Sequence, residues 1–260
     1  MEIEIKQSGK YHYIEEGDGP VLMLLHGLFG ALSNFEEVVD HFSGEYKVVI
    51  PMLPIYDMSF FNTNVKELSK YVHSFIENQG YENINLLGNS LGGHVTLLYA
   101  LHHPEKCSSM VLTGSSGLYE SGMGDTYPKV KDYNFIKDKV AYTFYDPEMA
   151  DKGLVDEVYQ TVNDRSRVVR IIAMAKSAIR HNMANDLHRI EVPTCLIWGG
   201  QDRVTPPYVA EEFKRLLPNA ELHFVDKCGH APMMERPEEF NKILDSFLSR
   251  LYVNSPEKEH

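Results

Sequence analysis

The chain has 260 residues, 43% of them hydrophobic and 24% charged. These are ordinary globular proportions, and at about 150 residues per domain the length suits one large α/β domain or two smaller ones that fold without disulfides or metal. Lys+Arg 25 against Asp+Glu 37 leaves a net charge of −12, which repels phosphate backbones and anionic headgroups and so argues against nucleic acid and a membrane surface as partners. No apolar run approaches the roughly 18 residues of a membrane span. The start, MEIEIKQSGK, lacks the apolar centre of a secretory signal. Cys107, Cys195 and Cys228 are odd in number and widely spaced, so reduced thiols in the cytoplasm are expected.

In chain order, Glu2–Lys6 and Tyr11–Glu15 alternate like strands, joined by a turn at Ser8-Gly9. Val21–Leu25 is apolar throughout, the pattern of a strand buried on both faces. It runs into His26-Gly27-Leu28-Phe29-Gly30. A helix near Phe35–Phe42 and a strand at Tyr46–Ile50 follow. Asn64–Gln79 has Val65, Leu68, Val72 and Ile76 on one helical face. The strand Ile84–Leu87 leads directly into Gly88-Asn89-Ser90-Leu91-Gly92-Gly93, then a helix over Gly92–Leu101 and a strand over Ser109–Thr113.

From residue 118 to residue 190 no strand-like run occurs. Tyr133–Val140, Pro147–Gln160 and Arg165–Arg180 read as helices. Alternation then resumes with a strand at Thr194–Trp198, a helix at Tyr208–Leu216, a strand at Leu222–Val225 and a helix at Pro237–Leu251. The expected division is therefore an α/β core over 1–117 and 191–253, a helical cap over 118–190 and a flexible tail over 254–260. The cap is expected above the C-terminal edge of the sheet, where open α/β folds bind ligands.

Gly88-Asn89-Ser90-Leu91-Gly92 has the form G-x-S-x-G between a buried strand and a helix. That context makes it a sharp turn presenting a serine above the sheet edge. A serine hydroxyl is a weak nucleophile without a base, and the base needs an orienting acid. Asp202 falls just past the end of one later strand and His230 just past the end of another, in the chain order Ser, Asp, His. Ser90, Asp202 and His230 are accordingly the candidate catalytic set. Acyl transfer also needs two N–H groups for the developing oxyanion. Leu91, directly after the nucleophile, is one candidate donor; the other comes from the loop after the buried strand, at Leu28 or, as second choice, Phe29. His26 is expected to bond backbone and shape that loop.

Other residues invite weaker readings. Tyr119, Met123, Tyr133, Phe135, Phe144, Met149 and Met174 in the insert either line an acyl pocket or pack the insert itself, with packing favoured. Arg180 and His181 fit a solvated helix face better than a site for an acidic substrate group. His102-His103 have no ligand partners at metal spacing, and Cys228 is assigned to packing. No nucleotide-binding glycine motif follows a strand, and neither cofactor nor metal is expected.

The loop at 26–30, the serine turn at 88–92, Trp198-Gly199-Gly200-Gln201-Asp202 and Gly229-His230 together resemble the α/β-hydrolase superfamily of serine hydrolases. The resemblance implies a mostly parallel eight-stranded sheet with an antiparallel second strand, flanked by helices, with a helical cap inserted after strand six. Within the family, Gly88-Asn89-Ser90, Asp202-Arg203-Val204-Thr205-Pro206 and Lys227-Cys228-Gly229-His230 resemble the meta-cleavage product hydrolases. His26-Gly27-Leu28-Phe29-Gly30 with Asn34 is more similar to small cytosolic carboxylesterases. The expected function is a cytoplasmic serine esterase acting on a small carboxylic ester through an acyl-enzyme on Ser90. Two alternatives stand beside it: C–C bond hydrolysis of meta-cleavage-type dienoic acids by the same residues, and a slow-turnover small-molecule receptor. Oligomeric state is not legible.

Overall fold

The computed structural model describes residues 4–30, 32–119 and 130–253. Eight strands form one sheet in the order β1-β2-β4-β3-β5-β6-β7-β8. They are β1 Lys6–Ser8, β2 Tyr11–Glu16, β3 Val21–Leu25, β4 Lys47–Pro51, β5 Ile84–Asn89, β6 Cys107–Thr113, β7 Thr194–Gly199 and β8 Ala220–Val225. β2 runs antiparallel to both β1 and β4, and every other pairing is parallel. The C-terminal ends of β3, β5, β7 and β8 therefore share one sheet edge. This is the α/β-hydrolase architecture that the motifs implied.

The alternation of side chains along β3 builds two cores. Val21, Met23 and Leu25 enter the one shared with helices α2 (Val65–Gln79), α3 (Leu91–His102) and α7 (Pro207–Leu216). Leu22 and Leu24 enter the other, with α1 (Glu36–Phe42) and α9 (Pro237–Val253). Burial on both faces is what a continuous apolar strand requires. α2 starts at an Asn64 side chain that accepts the Glu67 N–H at 3.0 Å and stops at Gly80 with φ 69°, a standard pair of helix end signals.

Between β6 and β7 the described chain is helical: α4 Tyr133–Tyr142, α5 Lys152–Asn163 and α6 Arg165–Arg180. Asp132, Asp151 and Asp164 cap the three helices by accepting N–H groups one turn on. α6 sends Met174 and Ala178 into the first core, while α4 and α5 send Ile136, Val140 and Val155 into the second. Tyr133, Phe135 and Met149 pack against the second core and Phe144 is buried within it, the packing role favoured for them; Met123 lies outside the described residues. No helix among the described residues is long and apolar enough to cross a membrane.

Some boundaries differ from the sequence pattern. Among the described residues the first strand forms at Lys6–Ser8, paired Ser8↔Tyr11 to Lys6↔Tyr13 next to the turn at Gly9, and leaves out Glu4 and Ile5 of the expected Glu2–Lys6, whose first two residues lie outside the described residues. The single helix expected over Pro147–Gln160 is a short 3-10 turn at Pro147–Met149 followed by α5, since Asp151 caps a fresh start. A four-residue helix, α8 Pro232–Glu235, had no periodic signal. The tail from residue 254 lies outside the described residues.

Gly92 on α3 seats the helix against the sheet, since a β-carbon there would stand 1.9 Å from the Leu25 carbonyl oxygen at the end of β3. Gly92→Ala must push α3 off the sheet, so a loss of at least about 1–3 kcal/mol of stability is expected. Thermal unfolding followed by circular dichroism checks it; an unchanged midpoint would contradict this seating.

Candidate active site

Ser90 is the residue between β5 and α3. Its backbone has φ 54° and ψ −118°, a conformation rare for a side chain larger than glycine. Local contacts hold it there. Its N–H donates to the Thr113 carbonyl at 3.1 Å, and its carbonyl accepts from Gly93 at 3.0 Å and Ser116 at 3.0 Å. Gly88 faces the Gly92 carbonyl, where a β-carbon would come within 2.5 Å, and a β-carbon on Gly93 would stand 2.2 Å from Ser115 Oγ. The glycines around the serine are therefore steric requirements of the turn.

Asp202 lies three residues past β7 and His230 five residues past β8. The structure brings them together: the His230 Nδ1–H donates to Asp202 Oδ2 at 2.9 Å. Both are nearly closed to solvent, 9% exposed for His230 and 3% for Asp202. The other Asp202 oxygen accepts the Val204 N–H at 2.8 Å and the Thr205 N–H at 3.0 Å, and the Thr205 hydroxyl donates to Oδ2 at 2.8 Å. A buried carboxylate with its lone pairs filled is stable as an anion. Burial alone pushes Asp202 up; the His230 charge and hydrogen bond, with the Thr205 donors, outweigh it and hold the carboxyl below 3.8. Burial likewise pushes His230 down, but the charge and hydrogen bond of Asp202, with a contribution from Glu235, hold the imidazole above 6.5. With Nδ1 carrying the proton, Nε2 of the neutral ring is an acceptor.

The Ser90 turn and the His230 loop are tied to each other. The Asn89 amide donates to the Thr113 carbonyl at 3.1 Å and to the His230 carbonyl at 3.2 Å. Gly114, at φ +52°, lies so close that a β-carbon would stand 2.7 Å from the His230 ring. Glu235 adds a third tie. It accepts the Gly229 N–H at 2.8 Å and the Tyr145 N–H at 2.7 Å, and the His230 N–H donates to the Thr143 carbonyl at 2.8 Å, so the histidine loop is bound to the segment after α4. Burial pushes the Glu235 carboxyl above its ordinary value. Thr205, three residues after Asp202, has a spacing from which a turn bond could be read. Nothing in the sequence marks Gly114 or Glu235, and Asn89 stands out only as a member of the serine turn.

The loop after β3 abuts the serine: a β-carbon on Gly27 would stand 3.2 Å from the Ser90 β-carbon. Leu28 and Phe29 follow in that loop, and the Tyr56 hydroxyl donates to the Leu28 carbonyl at 2.7 Å. Leu91 opens α3, and an N–H in the first helical turn has no carbonyl of its own helix to meet. His26 has the expected structural role. Its Nδ1–H donates to the Gly27 carbonyl at 2.9 Å and its Nε2 accepts the Leu53 N–H at 3.3 Å, while burial keeps the ring neutral. A crevice of about 20 Å³ lies between this loop and α5, lined by Phe29, Gly30, Tyr56, Glu157, Val158 and Thr161.

Cys228 is fully buried, and burial pushes its thiol far above the ordinary range, consistent with packing. His102 Nδ1–H donates to the Leu98 carbonyl, and His103 stacks on His73 with ring centres 3.8 Å apart. Neither geometry is that of a metal site. Cys195, Glu221 and His223 come close together near the other end of β7 and β8. There Arg250 already takes both oxygens of Glu221, at 2.6 and 2.7 Å, and sets a fixed positive charge against any cation.

The buried pair predicts a titration. NMR of the histidine ring protons should show His230 titrating above 6.5, and Asp202→Asn should lower it, because burial is then opposed by Glu235 alone. A wild-type value at or below the ordinary one would contradict the pairing.

Residues 20–141 and 137–237 match the family model described as alpha/beta hydrolase fold. A crystal structure of an alpha/beta hydrolase enzyme from the metagenome of sediments of the Mar Chica lagoon, Morocco, is 48% identical, with 95% of this chain and 98% of that one covered and a TM-score of 0.80. A monoacylglycerol lipase of Xenopus laevis is 25% identical, covering 100% of this chain and 86% of its own length. The 2-hydroxy-6-oxo-6-(2'-aminophenyl)hexa-2,4-dienoic acid hydrolase of Metapseudomonas resinovorans is 27% identical over 92% of this chain and 87% of its own. With the sheet order and the family match in agreement, the chain belongs to the α/β-hydrolase fold family and is a hydrolase.

Proposed function

We propose that the protein is a serine hydrolase of small carboxylic esters, with Ser90 as nucleophile, His230 as base and Asp202 as the group that orients the base. The observation that carries it is the buried Asp202–His230 hydrogen bond of 2.9 Å on the sheet edge that also holds the strained Ser90 turn. His230 Nε2 takes the Ser90 proton as Oγ attacks the ester carbonyl, and Asp202 stabilises the imidazolium so formed. The Leu91 N–H, with that of Leu28 or else Phe29, meets the oxyanion. The C–O bond to the alcohol breaks, and the alcohol leaves with the proton from His230. Water, deprotonated by His230, then attacks the acyl-enzyme and returns the acid and free Ser90. No step calls on a cofactor.

Residues 118–190 act in this scheme as a cap over the site, the helices α4–α6 excluding water from the reaction. A second reading, C–C hydrolysis of a dienoic acid, is supported by one cation. The Arg167 guanidinium lies 5.3 Å over the Tyr56 ring, whose hydroxyl holds the Leu28 carbonyl, and would suit a substrate carboxylate.

The test is turnover of p-nitrophenyl esters from acetate to laurate by wild type, Ser90→Ala and Asp202→Asn. Ser90→Ala should lose about 10³-fold or more in kcat and Asp202→Asn about 10⁴-fold, through the wrong histidine tautomer. Both should keep the wild-type circular dichroism. Ester turnover undiminished in folded Ser90→Ala would overturn the proposal. Inert esters together with Ser90-dependent cleavage of a dienoic acid would select the second reading.

A further inference from the structure

The N–H groups that the loop after β3 offers to an oxyanion belong to peptide planes pinned from behind. A trans peptide is planar, with its carbonyl and its N–H pointing opposite ways, so a bond to the carbonyl aims the N–H. The Gly27 carbonyl accepts the His26 Nδ1–H at 2.9 Å and the Gly30 N–H at 3.1 Å, which turns the Leu28 N–H away from both. The Leu28 carbonyl accepts the Tyr56 hydroxyl at 2.7 Å, which turns the Phe29 N–H away from the tyrosine. Among the described residues neither the Leu28 nor the Phe29 N–H donates to a backbone carbonyl, and Tyr56 is the only donor that the Leu28 carbonyl meets. Leu28 is therefore held by a pinned plane on each side, in a turn that abuts the Ser90 β-carbon through Gly27.

Both pins trace back to one segment, the loop 52–58 after β4. Its Leu53 N–H donates to His26 Nε2 at 3.3 Å, which leaves the ring proton on Nδ1 for the Gly27 carbonyl. Its Tyr56 reaches Leu28 directly. The loop is braced by its own bonds: the Leu53 carbonyl accepts the Ile55 N–H at 2.8 Å, and the Pro54 carbonyl accepts the Asp57 and Met58 N–H groups at 3.1 and 3.0 Å. From α6, Arg170 Nε donates to the Met58 carbonyl at 2.7 Å and the Arg167 guanidinium covers the Tyr56 ring at 5.3 Å. Burial pushes the Tyr56 hydroxyl up to about 12, so at neutral pH it keeps its proton and remains a donor.

We propose that Tyr56 is a positioning residue for oxyanion stabilisation: by holding the Leu28 carbonyl it aims the N–H of the loop at the oxygen on which negative charge develops. The inference rests on the serine-hydrolase reading above. Oxyanion donors act by being in place before the charge appears, so that no free energy goes into reorienting them. With its carbonyl released, the Leu28–Phe29 peptide is free to rotate in the turn, and a displacement of about 1 Å in a reacting site can cost about 10²-fold in rate. Tyr56 acts through that peptide and does not itself meet the substrate. The ester carbonyl carries little charge before attack, so the effect falls on kcat and not on KM.

The experiment compares the wild type with Tyr56→Phe, which removes one oxygen and keeps the ring beneath Arg167. Tyr71→Phe is the control, because the Tyr71 hydroxyl donates to the Met52 carbonyl of the same loop at 3.5 Å and makes no described bond to the turn. One readout is steady-state turnover of p-nitrophenyl butyrate. The other is the rate at which a fluorophosphonate labels Ser90, Oγ displacing fluoride at phosphorus; it uses the same N–H donors and needs no ester, so it decides alone if esters are not turned over. Tyr56→Phe should lower kcat and the labelling rate about tenfold or more, short of the roughly 10²–10³-fold lost with a whole donor. Its KM and the acid limb of its pH–rate profile should not move, and Tyr71→Phe should match the wild type. Both variants should keep the wild-type circular dichroism. An undiminished rate in Tyr56→Phe, a loss carried by KM, or an equal loss in Tyr71→Phe would overturn the inference and leave the serine-hydrolase reading standing. A folded wild type that neither turns over ester nor takes the label would overturn both.

Discussion

Ser90 holds a backbone conformation of φ 54°, ψ −118°, a setting that costs on the order of 1–3 kcal/mol for a non-glycine residue and persists only where its surroundings over-determine it. Most of the architecture near the site serves that requirement. β5 must be buried on both faces to deliver the turn to the sheet edge. α3 must start within contact distance of β3, which leaves no room for a side chain at Gly92. The segment 113–116 must follow closely enough to bond the Ser90 N–H and carbonyl. Gly114 in that segment then lies against the His230 ring, so the conformation of the serine and the placement of the histidine share one scaffold.

The Asp202–His230 pair is a second constraint, electrostatic where the first is steric. Burial opposes charge on both residues, and each is stabilised by the other. The signs of the two shifts define a pH window. Asp202 is held below its ordinary value, so its contribution to stability is present above about 3.8 and is lost as pH falls through the lowered value. His230 is held above its ordinary value, so its contribution is complete below about 6.5 and is lost as pH rises through the raised value. The pair stabilises the fold most between those limits. Under the proposed mechanism, with His230 as base, a raised pKa places full activity on the alkaline side, once the ring is neutral.

The fold was legible wherever one physical signal acted locally. Val21–Leu25 announced a two-faced burial that the structure places at the centre of the sheet. G-x-S-x-G announced its turn because the steric need for glycine is written into the spacing. The order Ser90, Asp202, His230 followed from three strand ends, and the structure pairs the last two. Contacts between distant segments were not legible. The Asn89 amide reaches the His230 carbonyl across the whole second half of the chain, and Glu235 joins the histidine loop to Tyr145 of the helical segment. Such bonds exist only once the strands are side by side. The first described strand pairs next to its turn, and Ile5, whose alternation suggested a strand, stays outside it.

The central claim is that Ser90 itself becomes acylated. The most direct measurement is mass spectrometry of the intact protein quenched during turnover of p-nitrophenyl acetate, followed by peptide mapping. An acetyl adduct on the peptide bearing Ser90, absent from Asp202→Asn treated for the same time, is the predicted result. Turnover with no covalent adduct, or an adduct mapped to any other residue, would contradict the account.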